Sequence, residues 1–323
     1  MNAPGPLISA APSTDSALPP LGIPAAARWQ DYLALTKPRV MSLVVFTALT
    51  GLVCAGAPMN PLLAGAAILC IAVGAGGSGA LNMGYEGKLD ALMRRTRSRP
   101  VAAGRVQRAD ALGLGVVLSL FSVGLMAMAV NLLAAGLLAF TIFFYGVVYT
   151  LWLKRRTPHN IVIGGLAGAL PPAIGWAAAS GTAPANAWLL VAIIFFWTPP
   201  HFWALSLTTS DDYARAGVPM LPVVKGEAFT RRRILAYSFV VVPLGVLPAF
   251  TGLGGLAYLV ASCAVGAAFL FLAARLASLG PGEAAMTTRA RRLFAFSIFY
   301  LFLLFAVLLA EHLLGLRPLR LGL

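Results

Sequence analysis

Residues 82–100 have the sequence NMGYEGKLDALMRRTRSRP, in which a long apolar run passes without a break into acids and then into arginines. Asn82, Glu86 and Asp90 recur at every fourth position. If the apolar run is helical and continues, each step rises about 6 Å and rotates the side chain by about 40°. The sequence therefore predicts a short acidic ladder on one face of a helix, followed directly by a basic segment.

The overall composition indicates an all-α polytopic membrane protein. Hydrophobic residues make up 59% of the chain and charged residues only 11%, and the mean hydropathy is +0.86, whereas a soluble protein has about 25% charged residues. Nine apolar runs, with Glu311 as their single acid, approach the length that crosses about 30 Å of hydrocarbon. The predicted spans lie near 40–57, 62–83, 111–130, 132–152, 160–179, 187–207, 234–250, 253–273 and 293–312.

The ladder and its arginines combine the two halves of a metal-diphosphate site. Carboxylates hold hard cations such as Mg²⁺, and guanidinium groups bind phosphate oxygens in pairs. Candidate phosphate ligands are Arg94, Arg95 and Arg99. A simple helix end with a basic loop explains the arginines but not the spacing of the acids. At a membrane surface, this combination predicts a lipid diphosphate as the ligand.

The basic residues predict the orientation. All of the 24 Lys and Arg residues except Arg317 and Arg320 lie in the N-terminal segment or in the loops after the second, fourth, sixth and eighth spans. By the positive-inside rule the N-terminus is cytoplasmic and the C-terminus periplasmic. The net charge of +14 then has two explanations: it sets the topology, and it forms a cytoplasmic surface that attracts anions. Nucleic acid is not expected as a partner, because no soluble domain presents the arginines.

The chain divides into a nine-helix domain with a tail at each end. Residues 1–30 are predicted to be a disordered tail, because they are rich in Ala and Pro and carry one basic residue, Arg28. They lack the basic segment of a signal peptide and the arginines of a transit peptide, which favours a bacterial inner-membrane protein. The transmembrane domain covers residues 31–315, and residues 316–323 form a short C-terminal tail.

A second polar concentration follows the sixth span. Asp211 and Asp212 lie on the same predicted side as the ladder, so the two acidic groups can share Mg²⁺ ions that bridge one diphosphate. An ordinary acidic turn that caps a short helix is the alternative. Lys154 and Arg155 end the fourth span on this side as well, and they either bind phosphate or only set the topology.

Five blocks of the sequence carry a family resemblance. They are LTKPRV at 35–40, NMGYEGKLDALMRRTRSRP at 82–100, TPHNIVIGGLAGALPPAIGW at 157–176, WTPPHFWAL at 197–205 and DDYARAGVPMLPVVKG at 211–226. Together they resemble the UbiA-type intramembrane prenyltransferases over roughly residues 30–315. The PPHFWAL and AGVPMLPVV segments are similar to the branch of this family that farnesylates haem.

The resemblance implies a reaction and its participants. Farnesyl diphosphate alkylates a vinyl group of haem b, water adds, and haem O leaves with diphosphate; Mg²⁺ is the cofactor. Membrane lipid surrounds the enzyme, and haem A synthase or a terminal oxidase is a further candidate partner. By the family's motifs, Asn82, Glu86 and Asp90 correspond to the first metal-diphosphate motif, and Asp211 and Asp212 to the second. Glu86 stands where the family usually has Asp.

Aromatic and histidine side chains are the remaining candidates for substrate contact. Tyr149, Trp197 and Trp203 can stabilise an allylic carbocation through cation–π contact, although any one such aromatic is more often a packing residue or an interfacial anchor. His201 follows Pro199-Pro200, a pair that we expect to break the sixth helix and open it toward a cavity. An intramembrane imidazole is a candidate ligand of haem iron. His159, which stands where the family commonly has Gln, is a weaker candidate.

Two other functions stay open at this point. A prenyltransferase that alkylates an aromatic quinone precursor would keep the same acidic ladder, and only the haem-branch segments favour porphyrin. A transporter would place ionisable residues within the spans. Here the acids gather at one membrane face, and the spans themselves hold almost none.

The alternation of charged loops makes a direct prediction about topology. Reporter tags fused at residue 1 and at residue 323 should report opposite compartments, because an odd number of spans separates them. Alkaline phosphatase and green fluorescent protein fusions at each end provide the measurement. Finding both ends in one compartment would refute the nine-span arrangement.

Overall fold

The computed structural model describes residues 27–280 and 282–316, and every regular element in these stretches is helical. This confirms the all-α class. The helices are α1 (Trp29–Leu35), α2 (Pro38–Cys54), α3 (Pro61–Ala91), α4 (Arg108–Ala129), α5 (Leu132–Phe143), α6 (Asn160–Ala169), α7 (Pro171–Ser180), α8 (Ala185–Leu207), α9 (Ser210–Arg215), α10 (Leu221–Lys225), α11 (Glu227–Val246), α12 (Leu256–Ala277) and α13 (Ala285–Leu313). A π-helix, Phe144–Leu153, continues α5, and a short 3₁₀ turn, Leu247–Ala249, ends α11.

Each of the nine predicted spans corresponds to a helical segment. Eight segments of the described chain are long and apolar enough to cross a membrane, and the bent pair of α1 and α2, at 48°, supplies a ninth. The fifth span consists of α6 and α7, which are divided at Leu170 before two prolines. Most of the predicted N-terminal tail, residues 1–26, and nearly all of the C-terminal tail, residues 317–323 with Arg317 and Arg320, lie outside the described residues.

Three helices are longer than their apolar cores. α3 continues to Ala91, and α11 and α13 begin at Glu227 and Ala285, each several residues beyond the apolar run. Hydropathy marks only the part of a helix within hydrocarbon, whereas backbone hydrogen bonding continues into the polar layer. As a result, the whole acidic ladder lies on α3 itself.

The expected break at Pro199-Pro200 is wrong. Both prolines lie inside the continuous helix α8, and both are buried. Each proline removes only one backbone donor, and neighbouring helices can support such a segment in a membrane protein. One such support is visible on the preceding turn, where Trp197 Nε1 donates to the carbonyl oxygen of Ser297 on α13 at 2.8 Å.

Two glycines bring α2 and α7 into backbone contact. A Cβ built on Gly51 would lie 2.0 Å from the carbonyl oxygen of Pro172, and one on Gly175 would lie 2.0 Å from that of Ala48. Small residues permit such close crossings between membrane helices. The contact lies toward the end of the bundle that is opposite Asp90, which we call the far end; the other is the ladder end. Between the crossing and the ladder end, a cavity lies between the helices.

Candidate functional site

A polar cavity of about 120 Å³ lies at the ladder end of the bundle. Its walls come from the last turns of α3, the turn that follows, the start of α2, the π-helix, and the segment from α8 to α10. The lining residues on which its chemistry depends are Lys37, Asn82, Glu86, Asp90, Arg95, Thr96, Arg99, Tyr145, Tyr149, Lys154, Phe202 and Tyr213. We call this space the polar cavity.

The acidic ladder faces this cavity and is almost completely buried. Asn82, Glu86 and Asp90 are exposed by 3%, 1% and 1%. Lys154 Nζ lies 2.6 Å from Glu86 Oε2, and Arg99 Nη1 lies 2.9 Å from both carboxylate oxygens of Asp90. A buried carboxylate is costly unless it is paired and hydrogen-bonded. The cations are therefore part of the ladder's structure as well as candidate ligands.

One carboxylate oxygen of the ladder has no partner. Glu86 Oε1 is buried and makes no hydrogen bond to any described residue. An unsatisfied buried acceptor loses its hydration without compensation, a cost of about 1–3 kcal/mol or more when it is charged. An oxygen in this state, inside a cavity, fits a ligand that is a hard cation.

The electrostatic balance of the cavity favours an anion. Lys37, Arg95, Arg99 and Lys154 face only two carboxylates among the lining residues, so two positive charges are in excess. Burial strengthens their effect, because the effective dielectric constant falls well below that of water. A diphosphate together with a metal cation suits such a cavity.

The π-helix orients three of the lining side chains. Its wider turn of about 4.4 residues places positions separated by four and then five residues on one face, and Tyr145, Tyr149 and Lys154 have this spacing. The two tyrosine rings stack with centroids 5.5 Å apart. Thr150, on the adjacent face, accepts a hydrogen bond from Asn82 Nδ2 at 3.1 Å. A Cβ on Gly164 would lie 2.2 Å from the Tyr149 ring, so this glycine lets α6 pack against it.

Lys37 enters the cavity from the junction of α1 and α2. Its φ of 53° is the only positive φ at a non-glycine residue in the described part of the chain, and it precedes a proline, which restricts its backbone further. Its Nζ donates to Asn82 Oδ1 at 2.6 Å. The end of α1 is placed by glycines of α3, because a Cβ on Gly79 would lie 3.0 Å from the carbonyl oxygen of Leu35.

Helix α9 closes the cavity with Tyr213. Arg95 Nη2 donates to the Tyr213 hydroxyl at 3.3 Å. Burial raises the pKa of Tyr213 above its usual value, although the nearby guanidinium groups of Arg95 and Arg99 act in the opposite direction. The hydroxyl therefore stays protonated at neutral pH and can serve as a hydrogen-bond donor.

A second, apolar cavity of about 140 Å³ adjoins the polar one. It extends between α2, α3, α5 and the α6–α7 segment toward the far end. Lys37 and Tyr145 line both cavities and separate them, because Lys37 Nζ donates to the Tyr145 hydroxyl at 3.4 Å. Gly168 lines this cavity and is itself exposed, and a Cβ there would meet no atom within 4 Å, so the wall is thin at this position.

Several predicted phosphate and metal ligands lie away from the polar cavity. Arg94 and His159 are exposed, and the guanidinium of Arg155 lies over the ring of Tyr85 at 5.9 Å. Asp211 is exposed, and Asp212 pairs with Arg215. Across residues 27–280 and 282–316, no three His, Cys, Asp or Glu side chains are grouped so as to hold a metal.

The aromatic and histidine candidates of α8 also lie outside both cavities. The His201 ring stacks between Trp197 and Phe294, with centroids at 4.1 and 4.6 Å. Trp203 packs edge-on against Tyr237, and its buried Nε1 has no hydrogen-bond partner among the described residues.

Five of the lining residues named above were not predicted from the sequence: Lys37, Thr96, Tyr145, Phe202 and Tyr213. The sequence did contain a signal for Lys37. This lysine directly precedes Pro38 and the first apolar run, so it marks the start of a helix on the same side of the membrane as the ladder. The small-residue run GAGGSGA at 74–80 indicates that another segment approaches α3 closely there. For Tyr145 the signal was hidden by the π-helix, whose spacing differs from the α-helical period.

Sequence comparison places the chain among known proteins. The UbiA prenyltransferase family matches residues 44–298. A protein of Caulobacter vibrioides named protoheme IX farnesyltransferase is 62% identical over 314 residues, which cover 91% of this chain and 94% of that protein. A protein of Parvibaculum lavamentivorans with the same name is 56% identical over 302 residues, covering 94% of each chain.

Solved structures have the same fold. A digeranylgeranylglyceryl phosphate synthase structure superposes with a TM-score of 0.72 at 15% identity, covering 88% of this chain and 98% of that one. A UbiA homologue from Archaeoglobus fulgidus bound to GPP and Mg²⁺ has a TM-score of 0.62 at 17% identity, with coverage of 86% and 99%. The resemblance inferred from the sequence blocks is confirmed, and the chain belongs to the UbiA prenyltransferase family.

Proposed function

We propose that this chain transfers the farnesyl group of farnesyl diphosphate to a vinyl group of haem b, with addition of water, to give haem O and diphosphate. The observation that carries the proposal is the pair of adjoining cavities. A cationic, acid-lined cavity suits a metal-bound diphosphate, and the apolar cavity beside it suits a prenyl chain. The choice of haem as acceptor rests on the relatives named protoheme IX farnesyltransferase.

The residues of the polar cavity fit a Mg²⁺ ion that is shared with the substrate. Glu86 Oε1 is available, and Mg²⁺ sites of this kind use one or two carboxylates together with substrate oxygens and water. When bound, the ion supplies neutralisation of the leaving diphosphate charge. The relative from Archaeoglobus fulgidus holds GPP and Mg²⁺ together, which supports this assignment.

Cationic side chains of the polar cavity also neutralise the charge of the leaving diphosphate. Lys37, Lys154 and Arg99 point into the polar cavity from three different segments, so they can contact a diphosphate from several sides. Fixed positive groups in a water-poor site stabilise developing negative charge with little reorganisation. The stacked rings of Tyr145 and Tyr149 line the polar cavity, and Tyr145 also lines the apolar one, so their faces are available to stabilise an allylic cation. Arg95 and Tyr213 can hold the outer phosphate.

We also propose Asp211 and Asp212 as ligands of a second metal contact. Helix α9 already brings Tyr213 to the cavity, so its preceding acids need only a small rearrangement of a short helix to approach a bound ion. Arg94 and Arg155 are proposed as part of the basic surface that attracts the anionic substrate to the ladder end.

The metal assignment predicts the effect of one isosteric change. Asp90→Asn keeps the shape of the side chain but removes its charge, so farnesyl transfer should fall by about 100-fold or more. Asp110→Asn is the matched control, because Asp110 is exposed in the first turn of α4. Initial rates at saturating Mg²⁺, with and without EDTA, test this. Near wild-type turnover of Asp90→Asn, or wild-type activity in excess EDTA, would disprove the metal role.

The acceptor can be decided by direct assay. Membranes that contain the protein, labelled farnesyl diphosphate and Mg²⁺ should yield a labelled porphyrin with haem b and no prenylated product with 4-hydroxybenzoate. Chromatography of the extracted products gives the answer. A product only with 4-hydroxybenzoate would establish the quinone-precursor enzyme instead, and no consumption of farnesyl diphosphate would favour the transporter.

His201 is the proposed contact to haem. The Ser297 hydroxyl donates its one proton to the carbonyl oxygen of Phe294 at 2.6 Å, so it accepts a hydrogen bond from His201 Nδ1 at 2.6 Å. The proton is then on Nδ1, and Nε2 keeps its lone pair. A histidine whose second nitrogen is held in this way is typical of metal ligands. The ring is also clamped between Trp197 and Phe294, and His201 is only partly buried.

Replacement of His201 has different effects if the residue contacts haem and if it only packs the bundle. His201→Ala should weaken haem binding by about 10- to 150-fold, the loss expected for one strong contact of about 1.5–3 kcal/mol, and leave farnesyl diphosphate affinity nearly unchanged. Ser297→Ala is the companion variant, because it frees the ring orientation but keeps the imidazole. Titrations of both substrates and melting curves are compared. If His201→Ala keeps its haem affinity and only lowers the melting temperature, His201 is a packing residue and the haem contact is refuted.

The protein is a multi-span membrane protein of the UbiA family, and we propose the bacterial inner membrane as its location, with the ladder end facing the cytoplasm. The proposal is supported by the positive charges in the loops at that end. Haem b and farnesyl diphosphate then reach the site from the cytoplasmic side or from the lipid. Haem A synthase and terminal oxidases are the proposed recipients of the product.

A further inference from the structure

We infer that the floor of the apolar cavity sets the length of the prenyl chain that this protein accepts, with Ile71, Leu138 and Ile174 as the residues that stop a chain of three isoprene units. The inference rests on the proposed function, because it assigns the apolar cavity to the prenyl tail. It adds the residues that determine chain-length specificity.

The two cavities adjoin at Lys37 and Tyr145, which belong to both linings and are in contact, with Lys37 Nζ donating to the Tyr145 hydroxyl at 3.4 Å. A chain whose diphosphate lies against the ladder enters the apolar cavity at this pair, and the path therefore requires the two side chains to separate when the substrate binds. From there the walls are the faces of α2, α3, α5 and the α6–α7 segment. The chain is directed along α3 toward the far end, because Ser78, Ala75 and Ile71 line the cavity at successive turns.

The path ends where the helices close. Ile71, Leu138 and Ile174 come from three different helices, and each is only 1% exposed. Directly beside Ile174, Gly175 lies in backbone contact with Ala48 of α2, so no gap remains between these two helices. A rigid backbone crossing and three large buried side chains together make a floor that a flexible ligand cannot easily displace.

The distance from ladder to floor matches a farnesyl chain. Asn82 and Ile71 are separated by about 16 Å of helix rise. An extended chain advances by about 1.2 Å per bond, so the roughly 12 bonds of three isoprene units need about 14 Å, and four units need about 19 Å. A C15 chain therefore fits above Ile71, whereas a C20 chain reaches past it.

The wall above the floor carries small residues that keep the path open. Ala75 lies one turn above Ile71 on α3, and Gly168, which has no side chain, lines the same cavity from α6. A larger side chain at position 75 would occupy the space of the last isoprene unit. On this face of α3, a smaller residue at position 71 should therefore lengthen the path, and a larger residue at position 75 should shorten it.

Two variants test the floor in opposite directions. Ile71→Ala should raise the ratio of kcat/KM for geranylgeranyl diphosphate over farnesyl diphosphate by about 10-fold or more, since one extra or missing group in an apolar pocket is worth about 10–200-fold. Ala75→Leu should raise the ratio for geranyl diphosphate over farnesyl diphosphate by a similar factor. Competition assays with haem b and pairs of diphosphates measure both ratios.

Ile193→Ala is the matched control. Ile193 is 0% exposed on α8 and lines neither cavity, so its truncation removes the same buried atoms as Ile71→Ala. It should lower the melting temperature to a comparable degree and leave both ratios unchanged. A changed ratio in Ile193→Ala would show that loosened packing alone relaxes specificity, and it would overturn the assignment of the floor.

The outcomes separate the inference from the proposed function. If the wild-type protein transfers no prenyl group from any diphosphate to haem, the proposed function fails and the inference falls with it. If the wild type transfers farnesyl but Ile71→Ala and Ala75→Leu keep its ratios, only the inference is overturned. A raised KM for haem in Ala75→Leu with unchanged ratios would assign the apolar cavity to the porphyrin and overturn the inference as well.

Discussion

The buried pairing of Glu86 with Lys154 and of Asp90 with Arg99 is the interaction on which the rest of the site depends. Two carboxylates with 1% exposure at the end of a membrane helix are stable only when cations approach them. Those cations come from the end of the π-helix and from the turn after α3. The need to satisfy the ladder therefore brings separate segments to one point, and the same point gathers the positive charge that a diphosphate requires.

The unusual backbone of this protein is concentrated at the same place. The left-handed residue Lys37 and the π-helix from Phe144 to Leu153 both deliver side chains to the polar cavity. Such conformations cost free energy and persist where surrounding contacts hold them. Here Asn82, the first residue of the ladder, makes both contacts: it accepts a hydrogen bond from Lys37 and donates one to Thr150. Asn82 thus links both irregular segments to α3.

Much of the fold could be predicted from apolar runs and charge, because hydrocarbon thickness and the basic loops impose simple patterns. The ladder could be predicted from its four-residue spacing, which α3 preserves. Pro199-Pro200 was misjudged because neighbouring helices support the segment in a way that no local rule describes. Tyr145 was missed because a π-helix changes the period. Whether Asp211 and Asp212 approach the ladder depends on the tertiary position of a short helix, which sequence spacing alone does not determine.

Two buried glutamates, Glu86 and Glu311, differ in how their carboxylate oxygens are satisfied. Glu311, at the far end, accepts hydrogen bonds from the backbone nitrogens of Gly255 and Tyr258 with its two oxygens, and so caps the start of α12. Its hydrogen-bonding capacity is used for folding. Among the described residues, Glu86 has one oxygen paired with Lys154 and one buried oxygen without a hydrogen-bond partner, inside a cationic cavity. This unsatisfied oxygen lowers the stability of the fold, and in the proposed function a bound cation would satisfy it, so that part of the binding free energy would come from this one atom.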